Sequence, residues 1–515
     1  MSTQTLSKPN LEVAHRGWLT AAIMLATVAQ VLDTTIANVA LPHMAASLGA
    51  SQEEITWVLT SYIVASAIAT PLTGWTVDRV GRRNVFAIAI AGFTLFSLLC
   101  GIATGLEEMI LFRVMQGIFG AVLVPLAQTV ILDINPRERM GQAMAIYGAG
   151  IMVGPIVGPT LGGWLTENFD WRYVFLINLP IGALALAGVL IFLPNGAIRA
   201  RRFDLFGFAM LALAVGALQM LLDRGQAADW FQSAEIWIYL GLAISGLWVF
   251  IVHCWTAKEP FLDLRMFNDR NFSMGLVFIF ILGLTLFSGL ALLPPLLQGL
   301  LGYPVLTTGM VMAPRGIGTF LSMIVVGRLV SKVDARLLVS FGLTLTGIAF
   351  WMMTGFDVVM DRDLIIWSGV LQGFGLGFVF VPFSTLTFAT LAARFRGDAT
   401  SIFSLVRNVG SGVGISIVTT VLARMITVNH EELASRLTFD APQVARQAPG
   451  LLTGNLGYMA RIDGLVSQQS AMIAYIDNFY LMLIFTLAAL PIVFFLRAPK
   501  TGAPSGTPQV PAGDH

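Results

Sequence analysis

The sequence predicts an all-α integral membrane protein: two pseudo-symmetric six-helix bundles with two further helices inserted between them, fourteen transmembrane helices in all. Three observations carry this. The chain is 56% hydrophobic and only 11% charged, with a mean hydropathy of +0.79, far above that of water-soluble domains. Its apolar runs reach about 20 residues or more, enough to cross roughly 30 Å of hydrocarbon as helix, and they lack the apolar–polar alternation of barrel strands. Short motifs also recur in the same order at an offset of about 255 residues, as in transporters built from internal repeats.

Taken in order, the spans are expected at about 17–41, 54–77, 84–104, 108–130, 141–164, 173–194, 204–222, 235–254, 272–299, 306–330, 336–355, 364–384, 399–424 and 477–497. Lys8 and Arg16 precede the first span, which lacks a short apolar core and a small-residue cleavage site and so reads as a retained helix. The expected organisation is a tail at 1–16, a six-helix bundle at 17–194, a linker with two additional helices at 195–271, a second bundle at 272–497 with an outer loop at about 425–476, and a disordered tail at 498–515.

Basic residues orient the spans. The loops of one side hold twenty Lys and Arg, among them Arg79, Arg82, Arg83 and the cluster Arg199, Arg201 and Arg202, against Arg172, Arg224 and Arg362 in the short loops of the other. The positive-inside rule then places both termini in the cytoplasm. Cys100 and Cys254 lie in or beside apolar runs and suggest no disulfide framework, and a net charge of +1 gives no sign of a nucleic-acid partner.

The repeat is explicit in three places. Gly74, Val77, Arg79, Val80 and Arg83 are echoed by Gly327, Val330, Lys332, Val333 and Arg336; Gln116-Gly117 with Pro125 by Gln372-Gly373 with Pro382; Leu41-Pro42 with Leu48-Gly49 by Leu293-Pro294 with Leu301-Gly302.

Four stretches could carry chemistry. In VAQVLDTTIANVALP, Gln30, Asp33, Thr34, Ala37 and Asn38 share one face of the first helix. A carboxylate near mid-membrane costs about 2.5–3.5 kcal/mol on insertion scales, which favours taking up a proton; the alternative is a structural pairing with a neighbouring helix. The acid is not repeated in the second half, where the matching position is near Thr285. Arg113, followed at helical spacing by Gln116, Gly117 and Gly120, is a permanent charge suited to holding a partner or sensing an acid, or else snorkels to the interface. Arg315 and Arg407 are open to either reading. In GWTVDRVGRRNVF, Asp78 stands among Arg79, Arg82 and Arg83 between Gly74 and Gly81, which suggests a charge latch on the cytoplasmic side. In GAGIMVGPIVGPTLGG, Gly150, Gly154, Gly158 and Gly162 recur every fourth residue as a smooth ridge, with Gly163 beside it and Pro155 and Pro159 to bend the helix. The expectation is that this ridge seals the two halves together. Gln30, Thr34, Asn38 and Gln116 are candidate substrate-cavity residues.

Together these segments resemble the major facilitator superfamily, and within it the fourteen-helix drug:proton antiporters. The turn at 74–86 resembles the family's motif A, Arg113 to Gly120 its motif B, and the Gly/Pro run its antiporter motif. WRYVFLINLPIG and the stretch from Leu222 to Phe231 are similar to the EmrB-type subgroup. The resemblance implies export of hydrophobic or amphipathic compounds from a bacterial inner membrane by alternating access, with Asp33 coupling protons and Arg113 regulating it. It also implies a periplasmic adaptor and an outer-membrane channel as partners, and no cofactor beyond the proton gradient. In the second motif A, Ser331 replaces the acid and Asp334 the second glycine, so a symmetric latch is not expected.

Other classes fit less well. No G-x-x-x-x-G-K-[ST] nucleotide loop occurs, His430-Glu431 lacks a second His, and five scattered histidines make no metal cluster. An uptake symporter would be expected to lack the Gly/Pro run, a membrane-bound enzyme to gather His, Asp or Glu at one face, and a sensor to carry a soluble domain. A carrier of one specific metabolite remains the alternative.

Overall fold

Three breaks in the first bundle's helices fall at or just ahead of a proline. In the computed structural model, which describes residues 11–51, 54–136, 139–196, 198, 202–330, 332–436 and 456–495, α1 (Arg16–Leu48) runs unbroken through Pro42. The next span bends by 59° between α2 (Trp57–Ala69) and α3 (Leu72–Val80) at Thr70-Pro71, where proline removes a backbone donor. After α4 (Arg82–Ile102), the fourth span divides into α5 (Leu106–Gly120) and α6 (Leu123–Ile134) just ahead of Pro125. The fifth divides into α7 (Met140–Ile151) and α8 (Val153–Asn168) ahead of Pro155. A short turn α9 (Tyr173–Leu176) and α10 (Asn178–Phe192) complete the bundle.

The inserted pair is α11 (Leu205–Arg224) and α12 (Ala234–Thr256). The second bundle comprises α13 (Arg270–Pro295), α14 (Val305–Leu329), α15 (Ala335–Met353), α16 (Arg362–Ala389), α17 (Arg396–Arg436) and α18 (Leu456–Val493). Thirteen helices among the described residues are long and apolar enough to cross a membrane, and the bent α2–α3 pair makes a fourteenth span.

The expected outer loop at 425–476 is a correction. Helix α17 continues to Arg436 and α18 begins at Leu456, and His430 Nε2 meets Asp463 Oδ1 at 3.1 Å between them. Neither stretch contains proline, so nothing local ends the helices at the membrane boundary. The rest of that loop, 437–455, the tail at 498–515 and most of 1–16 lie outside the described residues.

Two seams join the halves. The α7–α8 helix lies along α14, while α3 and α6 meet α17 at the end that carries the 74–83 turn. Farther along α17, toward its other end, α11 packs against both α2 and α17: Trp230 Nε1 donates to Thr420 Oγ1 at 3.0 Å and the Ser416 hydroxyl to the Leu222 carbonyl at 3.2 Å. The inserted pair therefore bridges the bundles. Asp204 fastens its base, accepting from Gly207 N and Phe261 N and meeting His253 Nε2 at 2.9 Å. Burial alone would raise the Asp204 carboxyl, but these donors outweigh it and hold it below the usual range.

Candidate functional site

Asp33 lies about midway along α1 and is 1% exposed; Arg113 on α5 is fully buried. Arg113 Nη1 donates to Asp33 Oδ2 at 2.6 Å and to Gln116 Oε1 at 2.8 Å, and its Nε donates to the Val58 carbonyl at 3.0 Å. Gln116 Nε2 and Asn178 Nδ2 both donate to Asp33 Oδ1, at 3.0 and 2.9 Å. The guanidinium stacks over Tyr62, 4.3 Å from the ring centroid, with Phe175 at 5.5 Å. Arg113 thus does not snorkel. Helices α1, α2, α5 and α10 close a compact polar knot inside the first bundle.

The knot is built for an ionised carboxylate. Three side chains direct N–H donors at Asp33, and a proton on that carboxyl would weaken these charge-assisted bonds. It would also leave the Arg113 charge buried without its counter-ion, a state that costs several kcal/mol unless the helices shift.

The glycine ridge supports the same helix. A Cβ on Gly154 would stand 2.8 Å from Val31 Cγ1 and 3.0 Å from Leu32 N, one on Gly158 would overlap Thr35 Oγ1, one on Gly150 would overlap Met24, and one on Gly162 would stand 3.2 Å from the Ile36 carbonyl. The ridge therefore receives α1 of its own bundle rather than the opposite half, which corrects the sequence expectation. Four small residues on one face let α1 approach at backbone distance, and the Thr35 hydroxyl reaches the Gly154 carbonyl at 3.3 Å. The contact between halves is made by the other side of α8: Ile156 enters a notch at Gly316, Thr160 one at Gly309, and Gly163 faces Val305. Pro155 and Pro159 lie on this outward side, lining a cavity.

The charge latch also differs from its expected form. Arg82 Nη1 pairs with Asp133 Oδ2 at 2.7 Å, and Arg396 Nη1 from α17 pairs with Asp133 Oδ1 at 2.7 Å. Thr129 and Thr400 hydroxyls meet at 2.7 Å one turn away. Asp133, at the end of α6, is thus an acid that bridges the halves. Gly74 admits the α17 start so closely that a Cβ would overlap the Asp398 carboxylate, and Gly81 makes the α3–α4 reversal at φ +89°, a backbone region that favours glycine. Arg83 donates to the Leu190 carbonyl and, at 3.3 Å, to Asn195 Oδ1, while Arg79 is exposed.

The four candidate cavity residues separate. Gln116 is committed to Asp33. Gln30 Nε2 donates to Tyr62 Oη at 3.1 Å, the Thr34 hydroxyl to the Val31 carbonyl at 2.8 Å and Asn38 to the Thr34 carbonyl at 3.2 Å. None lines the cavity between the halves, which is bounded by α8, α13, α14 and α16. Sequence reasoning missed Asn178, Asp133 and Arg396. The signals were present: an amide in the apolar FLINLPIG, and an acid closing the apolar LVPLAQTVILDI.

Two helical bundles, the first enclosing a buried acid–arginine pair, have the build of a secondary transporter, and residues 23–415 match the family model described as Major Facilitator Superfamily, so the chain belongs to that family. Within it, the chain is similar to the multidrug export protein EmrB of Escherichia coli strain K12, 35% identical over 95% of this chain and 97% of that protein. It is also similar to the fatty acid resistance protein FarB of Neisseria gonorrhoeae, 36% identical over 95% and 98%. Among solved structures, the human organic anion transporter MFSD10 shares the fold, with a TM-score of 0.60 at 15% identity, covering 91% of this chain and 99% of that one.

Proposed function

We propose that the protein is a proton-driven exporter of hydrophobic or amphipathic compounds in a bacterial inner membrane, with both termini in the cytoplasm. The observation that carries this reading is the sealed Asp33–Arg113 pair: one carboxylate at mid-helix, fully paired when ionised, whose neutralisation must rearrange α1. The names of the relatives, a multidrug export protein and a fatty acid resistance protein, support the substrate range.

In this cycle a proton from outside neutralises Asp33 and frees Arg113. Helix α1 moves against α5 while the glycine ridge keeps it seated on α8, so the motion passes to the helix that lines the cavity and touches α14. Opening toward the cytoplasm then requires the Arg82–Asp133–Arg396 strap to part. One charge moving through 100 mV supplies about 2.3 kcal/mol, on the scale of breaking and remaking one such strap. The gradient is the energy source and no cofactor is invoked. A periplasmic adaptor and an outer-membrane channel complete the proposed path across the envelope.

The test is reconstitution: lumenal pH of proteoliposomes is followed while hydrophobic compounds are presented. Compound-dependent proton movement should occur in the wild type and vanish in Asp33→Asn. Proton movement unchanged by that substitution refutes the assignment.

A further inference from the structure

The second bundle buries a cation that the proton-coupling reading does not use. Arg315 on α14 is 7% exposed, and its Nη1 has no hydrogen-bond partner. No carboxylate among the described residues lies within ion-pair distance of it. One turn on, the Thr319 hydroxyl is occupied by the Arg315 carbonyl at 3.0 Å. Gln372 on α16 is 1% exposed with both amide ends unpartnered, and it lies four residues before Leu376, on the helix face that borders the cavity. Apart from Thr319 that cavity is otherwise apolar, walled by Ile156, Pro159, Phe287, Leu290, Met312 and Leu376, with Arg315 as its one charged lining residue among the described residues.

A guanidinium held in hydrocarbon surroundings without a counter-ion is costly to bury. An intramembrane charge of this kind is explained by a partner that arrives from outside the chain. The partner's chemistry follows from the walls: two oxygens of an acid match the guanidinium fork, an amide lies nearby to supply a further contact, and an apolar body fills the rest. We propose that this cavity binds amphipathic anions, with the carboxylate or similar acidic head of the compound paired to Arg315 and its apolar body against α8 and α13. This rests on the reading of the protein as an exporter of amphipathic compounds and names the class it takes.

The test is equilibrium binding to the purified full-length protein in detergent at pH 7.5, with no gradient, using radiolabelled naphthalene-1-acetate and its neutral isostere naphthalene-1-acetamide. The carboxylate should bind at least about tenfold more tightly than the amide. Arg315→Gln should bring the two together by weakening only the carboxylate, and Arg315→Lys should retain part of the preference. Leu290→Trp, which fills the cavity, should weaken both. Equal binding of the two probes to the wild type overturns the proposal, as does unchanged binding in Leu290→Trp. Should Arg315→Gln not yield folded protein, those two measurements decide. An anionic lipid has the same chemistry, so phosphatidylglycerol is added as competitor: no displacement supports a transported compound, and displacement at equal concentration assigns the site to lipid and overturns the substrate role. Because no gradient is present, the preference can fail while proton-driven export stands, or hold while Asp33→Asn leaves proton movement intact.

Discussion

The two halves pack the same seam and furnish it with opposite chemistry. Gly117 in the first half presses on the Tyr62 carbonyl, and its repeat partner Gly373 presses on the Arg315 carbonyl. The α2–α5 crossing and the α14–α16 crossing are thus counterparts. Around the first lie an acid, an arginine and two amides that satisfy one another. Around the second, Gln372 repeats Gln116, but Gly369 stands where Arg113 would be and Thr285 and Ser288 occupy the helix region of Asp33, so among the described residues Arg315 Nη1 and both ends of the Gln372 amide have no hydrogen-bond partner. The backbone arrangement is duplicated and the acid–arginine pair is not. On the proposed reading the compensated pair is the internal switch and the second half's arginine meets the anion.

This contrast can be broken at several points. The largest effect is expected from Asp33→Asn, which should reduce gradient-driven export by about 100-fold or more. It keeps the side-chain shape but removes the charge that Arg113 needs. Export assays in energised vesicles read this directly.

Next, the two arginines should respond with opposite signs. Arg113→Gln breaks a buried pair and should destabilise the protein by about 3–5 kcal/mol. Arg315→Gln removes an unpaired charge and should leave thermal stability equal or higher. Melting curves in detergent compare the two, and equal losses would erase the distinction between the halves.

Asp133→Asn should weaken both arms of the strap at once. The expectation is a shift toward the state open at the 74–83 end, read by distance measurements between labels on α3 and α17, with little change at the α8–α14 seam. A smaller, graded effect is expected along the ridge. Gly158→Ala meets Thr35 directly and should cost about 1–3 kcal/mol by overpacking, and Gly162→Ala, with 3.2 Å available, should cost less. The smallest is Asn38→Ala: the side chain is exposed and bonds only its own helix, so stability should change by no more than about 0.5 kcal/mol.

How much of this was legible follows from what each residue depends on. The spans could be read because length and hydropathy are local, and Asp33 and Arg113 stood out because charges in apolar runs are rare. The partners of Asp33 beyond Arg113 depend on tertiary contact: Asn178 is 145 residues away, and nothing in its neighbourhood states where its amide points. The ridge periodicity showed that some backbone lies in the groove but not which one, and α1 and α14 both had the length to fill it. Asp133 was hidden by the nearer Asp78, since spacing along a chain favours the acid within the motif over the one that folding brings to Arg82 and Arg396. The extended ends of α17 and α18 escaped because charge, which ends an apolar run, does not end a helix.

On the proposed reading Asp33 is the group that exchanges a proton for compound. The most direct measurement is proton release from the purified protein in weakly buffered detergent solution, followed with a pH-sensitive dye as a hydrophobic substrate is added. The wild type should release protons saturably with substrate, and Asp33→Asn should bind the compound while releasing none. Equal release from both proteins would contradict the account.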